Sequence, residues 1–124
     1  MSIAAQSGSG DSVVPQPAST PEDLRSALAQ LAPEALPTFD VERATALQQA
    51  REQVSAAPMR RFVGQWAVYV ALERHPDLAA RLRSLEARAA TTESLEEART
   101  IAAEIGRILD TACEEAGVQR AQGV

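Results

Sequence analysis

Pro58 to Ala90, PMRRFVGQWAVYVALERHPDLAARLRSLEARAA, constrains this chain more than any other stretch, because it reads as two helices joined at a single Pro. Met59, Phe62, Val63, Trp66, Ala67 and Val70 recur at three- and four-residue steps, the period of a helix that buries one face. Tyr69 and Leu72 widen that apolar arc, which predicts a central helix packed on more than one side. Gly64 inside it costs about 1 kcal/mol relative to Ala and hints at close approach by a neighbour. The helix must end near His75, because Pro76 disfavours helical geometry at the residue before it.

Pro76 and Asp77 open the next helix, with Leu78, Leu82, Leu85 and Ala89 expected inward. On the N-terminal side, Thr20-Pro21-Glu22-Asp23 is a helix start: a capping hydroxyl, a Pro in the first turn and two acids at the positive end of the dipole. Leu24, Leu28 and Leu31 follow on one face. Pro33 and Pro37 bracket a break. A second helix runs from about Pro37 or Phe39 to Ser55, with Phe39, Arg43, Ala46, Leu47, Ala50 and Val54 on its stripe.

Beyond Ala90-Thr91-Thr92, Ser94 and Glu97 form a capping-box pattern. Leu95, Ala98, Ile101, Ala102, Ile105, Leu109 and Ala112 then point inward, and Gly117 is a natural stop. Glu96–Arg99 and Glu104–Arg107 are spaced as i,i+3 pairs. No strand pattern and no internal repeat emerges. The expectation is an all-α fold, a compact bundle of four to five short helices. Residues 20–117 form the domain, 118–124 a frayed C-terminus, and 1–19 a disordered N-terminal tail too poor in apolar residues to offset its ordering entropy.

With 124 residues the chain holds one domain. Only four residues are Phe, Trp or Tyr, so each large side chain carries much of the core, and truncating one to Ala costs about 2–5 kcal/mol. The net charge of −5 argues against a general binder of nucleic acid or anionic membrane. The charge is segregated: residues 58–90 carry six arginines against three acids, while the flanking segments 1–57 and 91–124 carry seven acids and three arginines each. Neighbouring helices that neutralise one another explain this, and a basic face for an acidic partner explains it too.

Catalytic constellations are missing from the pattern. His75 is the only imidazole and lies at a helix end, where capping or packing is the ordinary role. Cys113 sits beside Ala112 as a small buried thiol, and nothing in the spacing places it with His75. A single Cys excludes an intramolecular disulfide and a multi-cysteine metal site. There is no E-x-x-H pair, no Gly-rich phosphate loop and no dinucleotide fingerprint. We therefore expect no enzyme, no cofactor and no metal. No apolar run approaches the ~20 residues of a membrane-spanning helix, so no membrane partner is expected. No basic start followed by an apolar core opens the chain, which predicts a cytoplasmic protein.

What remains is recognition. Arginine and aromatic residues are enriched at protein interfaces, and the helix pair 58–90 supplies Arg60, Arg61, Tyr69, Arg74 and Arg81 as candidate partner-binding residues. Trp66 is assigned to the core. The expected function is a non-catalytic protein-interaction module, an adaptor or antitoxin-like partner, that binds another protein through this pair. The alternative is a small DNA-binding transcriptional regulator using the same basic face. Against it, the second helix opens with Asp77-Leu78-Ala79-Ala80, where a helix-turn-helix reader offers polar hydrogen-bonding residues. Acidic ends and a basic middle also pair between chains as readily as within one, so a homo-oligomer is a further alternative.

The residues Pro58, Phe62, Trp66, Arg74-His75-Pro76 and Ala80-Arg81-Leu82 resemble a family of small all-helical actinobacterial proteins, a domain of unknown function. The likeness extends over about residues 20–115, from TPEDLRSALAQLAPEALPTFDVERATALQQA to EARTIAAEIGRIL. It implies a compact helical fold and assigns no activity and no functional residue. Some members of that family resemble small partners encoded beside toxin-like proteins, which implies an antitoxin-like role; the chain has no DNA-binding N-terminal module to match.

Overall fold

A computed structural model describes residues 14–118. Five α-helices follow in order, α1 (Pro21–Leu31), α2 (Leu36–Gln53), α3 (Ala57–Glu73), α4 (Pro76–Thr91) and α5 (Leu95–Ala116), with a 3₁₀ turn at Pro33–Ala35 between the first two. The described residues contain no strand, and the fold is all-α. None of the described helices is long and apolar enough to cross a membrane.

The helix ends follow local chemistry. Thr20 Oγ1 accepts from Asp23 N–H at 3.1 Å, and Ser94 Oγ accepts from Glu97 N–H at 3.1 Å, each satisfying an amide that the first turn leaves unpaired. The Glu97 carboxylate does not close the capping box. It accepts from Thr92 Oγ1 instead, while Thr92 Oγ1 accepts from Ser94 N–H. Gly117 ends α5 at φ 71°, and Val118 N–H reaches back to Cys113 O at 2.9 Å, a left-handed cap that suits glycine. At the end of α2 the same left-handed position is held by Val54, at φ 49° and ψ 53°, a strained place for a β-branched residue.

Helix α3 is the hub and packs against each of the other four. All four aromatic rings of the sequence form one row, three from α3 and Phe39 from α2: Phe39 to Phe62 at 5.0 Å between centroids, Phe39 to Trp66 at 5.2 Å, and Trp66 to Tyr69 at 5.0 Å, all tilted or edge-on. Such geometry adds about 0.5–1.5 kcal/mol per pair beyond the area buried. Around the row lie Leu24 and Leu28 of α1, Val70 and Ala67 of α3, Leu82 and Leu85 of α4, and Ile101, Ile108 and Ala112 of α5.

Several positions expected inward face solvent. Leu47 of α2, Val54 just past its end, Ala89 of α4, and Leu95 and Ala102 of α5 are exposed. Ile108, absent from the expected stripe, is buried, and Cys113 and Ala116 join it. Ile101, Ile105, Leu109 and Ala112 keep the expected inward side of α5, which packs against both α3 and α4. Gly64 is not held by a tight approach. Among the described residues, a Cβ there would meet only Val118, with Cγ1 at 3.8 Å, an ordinary contact.

Residues 1–13 of the expected tail, and 119–124 of the expected frayed end, lie outside the described residues. The remaining tail positions, 14–19, form neither helix nor strand, yet they are tied to α3. Gln16 Nε2 donates to Ala67 O at 3.2 Å, Arg74 Nε donates to Val14 O at 2.8 Å, and Val14 packs against the core.

Candidate functional site

The basic segment 58–90 meets its acids mostly inside the fold. Arg81 makes a two-pronged pair with Glu104, Nε to Oε2 at 2.7 Å and one terminal nitrogen to Oε1 at 2.9 Å. Arg88 donates to Glu97 at 2.9 Å, and Arg83 donates to Glu73 at 3.2 Å. Arg74 pairs with Glu115 as well as bonding Val14 O, and its side chain is only 17% exposed. The Arg74, Arg81 and Arg88 contacts stitch α4 and the end of α3 to α5, and Arg83–Glu73 joins α4 to α3. Glu104, expected to pair with Arg107, turns its carboxylate to Arg81 instead, because the planar Arg81 fork matches a carboxylate with two parallel bonds. Hydrogen bonding to Arg81 holds the Glu104 carboxyl below its ordinary range, and the Thr92 hydroxyl, with Arg88 behind it, does the same to Glu97.

The acidic N-terminal part is likewise cross-braced. Arg25 makes two 2.8 Å bonds to Asp40, and Arg43 donates to Glu22 at 2.7 Å. His75 Nε2 lies 3.0 Å from both oxygens of Glu115, so its side chain joins the α3–α4 turn to α5 and does not cap α4. Cys113 is buried on α5. Among the described residues, no group of three or more His, Cys, Asp and Glu gathers as a metal would need.

Of the five candidate residues, Arg74 and Arg81 are thus committed to the fold. Arg60 and Arg61 stand apart, exposed on the first turns of α3 and without an ion pair to any described residue. Arg51, at the last turn of α2, is exposed and without an ion pair too. The α2–α3 hairpin therefore ends in three guanidinium groups without an ion pair, beside the Glu52 carboxylate, which accepts from the Gln48 amide.

Two adjoining grooves lead away from that end along α3. The first, of about 260 Å³, lies between α2 and α3 and is walled by Glu42, Thr45, Gln49, Arg61, Phe62 and Gln65, among others. The second, of about 200 Å³, is lined by Gln65, Trp66, Val68, Tyr69 and Leu72, all on α3. Gln65 belongs to both. At the join, Trp66 Nε1 donates to Glu42 Oε1 at 2.9 Å. Tyr69 is half-buried there, and burial, aided by the nearby Glu73 and Glu34 charges, pushes its phenol above the ordinary value while Arg83 opposes the shift.

Arg61, Gln65, Val68 and Leu72 recur at four- and three-residue steps and so share one side of α3. The wide apolar arc foreseen from Tyr69 and Leu72 is real, but part of it lines a groove. Gln65, Val68, Glu42 and Gln49 were not singled out by the sequence. The one signal for Val68 was an apolar residue off the core stripe.

Residues 12–112 match the model of a family of unknown function, DUF6247. The chain belongs to that family. No curated protein and no solved structure matches it. Membership in DUF6247 fits the helical domain described above and brings no activity with it.

Proposed function

We propose that this DUF6247 domain is a non-catalytic protein-interaction module, an adaptor or antitoxin-like partner that acts in the cytoplasm and docks through the outward side of α3. The observation that carries this reading is the contrast among the arginines. Arg74, Arg81, Arg83 and Arg88 are neutralised by acids of the same chain, whereas Arg60 and Arg61 are not, and Arg61 lines the α2–α3 groove that adjoins the Val68–Tyr69–Leu72 groove at Gln65. A rim of uncompensated guanidinium beside aromatic and aliphatic surface is the composition of a docking site.

The same contrast weighs against the DNA-binding alternative. Four of the six arginines that would have to meet phosphates along 58–90 are engaged elsewhere, and phosphate contacts dominate such affinity.

The test is capture of the binding companion by the tagged protein from its native host, set beside the double variant Arg60→Glu/Arg61→Glu. The variant is expected to lose the companion with its helical circular-dichroism signal unchanged. Full-strength capture by the variant contradicts this face as the interface. Recovery of nuclease-sensitive nucleic acid in place of a protein companion favours the regulator.

A further inference from the structure

The geometry points to one class of partner: an acidic amphipathic helix of another protein, laid along α3 with its apolar side on Val68, Tyr69 and Leu72 and its acids over Arg61, Arg60 and Arg51. This inference rests on the interaction-module reading and names what that surface takes.

Three features select this occupant. The first is length. From Arg61 to Leu72 the groove follows eleven helical steps, about 17 Å at 1.5 Å each, the span of a three-turn helix. The second is chemistry along that length. Polar Gln49, Thr45 and Gln65 line the end near Arg61, and Trp66, Val68, Tyr69 and Leu72 line the other. A helix that presents apolar residues at i, i+3, i+4 and i+7 fills such a trough, whereas an extended strand would have its own backbone donors and acceptors unmet, since the described residues offer no sheet edge.

The third is charge. Acids flank the trough too: Glu73 is paired with Arg83, whereas Glu42 and Glu52 accept only from the neutral Trp66 indole and Gln48 amide and keep their charge. Arg51, Arg60 and Arg61 outnumber these two carboxylates, so the hairpin end is net positive and steers acids to it. That end fixes the direction of the helix as well as its sign.

The experiment is a ¹⁵N-detected NMR titration of the full chain with three synthetic helical peptides of about fourteen residues. One carries Leu at i, i+3, i+4 and i+7 with Glu on the polar side; one has each Glu replaced by Lys; one is the Glu peptide scrambled so that the apolar stripe is broken. The Glu peptide is expected to shift the amides of Gln65, Val68, Tyr69 and Leu72 and to bind at least tenfold more tightly than either control. Arg60→Glu/Arg61→Glu is expected to exchange the preference to the Lys peptide, a swap that a merely structural role for these arginines would not produce.

Equal binding of all three peptides, or shifts confined to α4 and α5, overturns the inference. So does the absence of shifts with every peptide. If the native companion is still released by the arginine reversals in that last case, only the helix class falls. If the companion is indifferent to them, the interface falls with it. A chain that associates with itself through this groove, seen as shifts on dilution without peptide, overturns it in favour of a second copy.

Discussion

The indole nitrogen of Trp66 donates to the Glu42 carboxylate across 2.9 Å, joining α3 to α2 where the two grooves meet. The ring is 5% exposed and lies edge-on to Phe39, so one residue serves both the core and the floor of the candidate interface. These two roles separate on substitution. Trp66→Phe keeps an aromatic ring and removes the donor, leaving a half-buried carboxylate oxygen without its partner, at about 1–3 kcal/mol. Trp66→Ala removes the centre of the aromatic row, at about 3–5 kcal/mol. Urea unfolding of both variants checks the order.

Val54 is the position where local strain is relieved most simply. It sits at φ 49° and is 91% exposed, so Val54→Gly removes the steric cost of the left-handed backbone and forfeits almost no burial. The expected gain is about 1 kcal/mol, read as a higher midpoint in denaturant. A loss of stability would mean that the extra conformational freedom of glycine in the unfolded chain outweighs the strain relieved.

Gly64→Ala is expected to stabilise α3 by up to about 1 kcal/mol, because the added methyl relieves a helix-interior glycine and meets only the Val118 methyls at ordinary distance. Thermal unfolding should show a rise of several degrees in a domain of this size. Destabilisation would show that α3 and the segment around Val118 cannot give even slightly.

Stability should fall on acidification. The Glu22, Asp40, Glu97 and Glu104 carboxyls are held below their ordinary values by hydrogen bonding, to the backbone and Arg43, to Arg25, to Thr92 and Arg88, and to Arg81 respectively. A lowered folded pKa means that the unfolded chain binds more protons. The stabilisation is therefore fully present above about pH 5 and is lost as pH falls through the carboxylate range near 4 and below. Melting temperatures recorded from pH 6 to pH 3 are expected to decline, less steeply in Glu97→Gln/Glu104→Gln.

Much of the fold was legible because its signals are local. Thr20, Ser94, Gly117 and the prolines fix helix ends through one or two nearby bonds, and Phe62, Trp66 and Val70 recur too regularly to face anything but a core. What spacing does not give is which side a neighbour covers. Leu47 and Leu95 fit helical stripes, yet they lie where no described element covers them, while Ile108 is buried on α5, which packs against both α3 and α4.

The candidate site shows the same division. Composition singled out the arginines of 58–90, but not which had partners. Arg74 and Arg81 look like Arg60 and Arg61 in sequence, and only the placement of Glu115 and Glu104 on a neighbouring helix tells them apart. Gln65 and Val68 gain meaning from the groove alone.

The most direct test of the α3 interface is site-specific photo-crosslinking in the native host, with the photoreactive residue placed at Gln65 in one variant and at exposed Arg99 on α5 in another. One discrete companion protein joined from position 65, and absent from position 99, is the result this account predicts. A companion captured from position 99 alone, or equally from both, would contradict it.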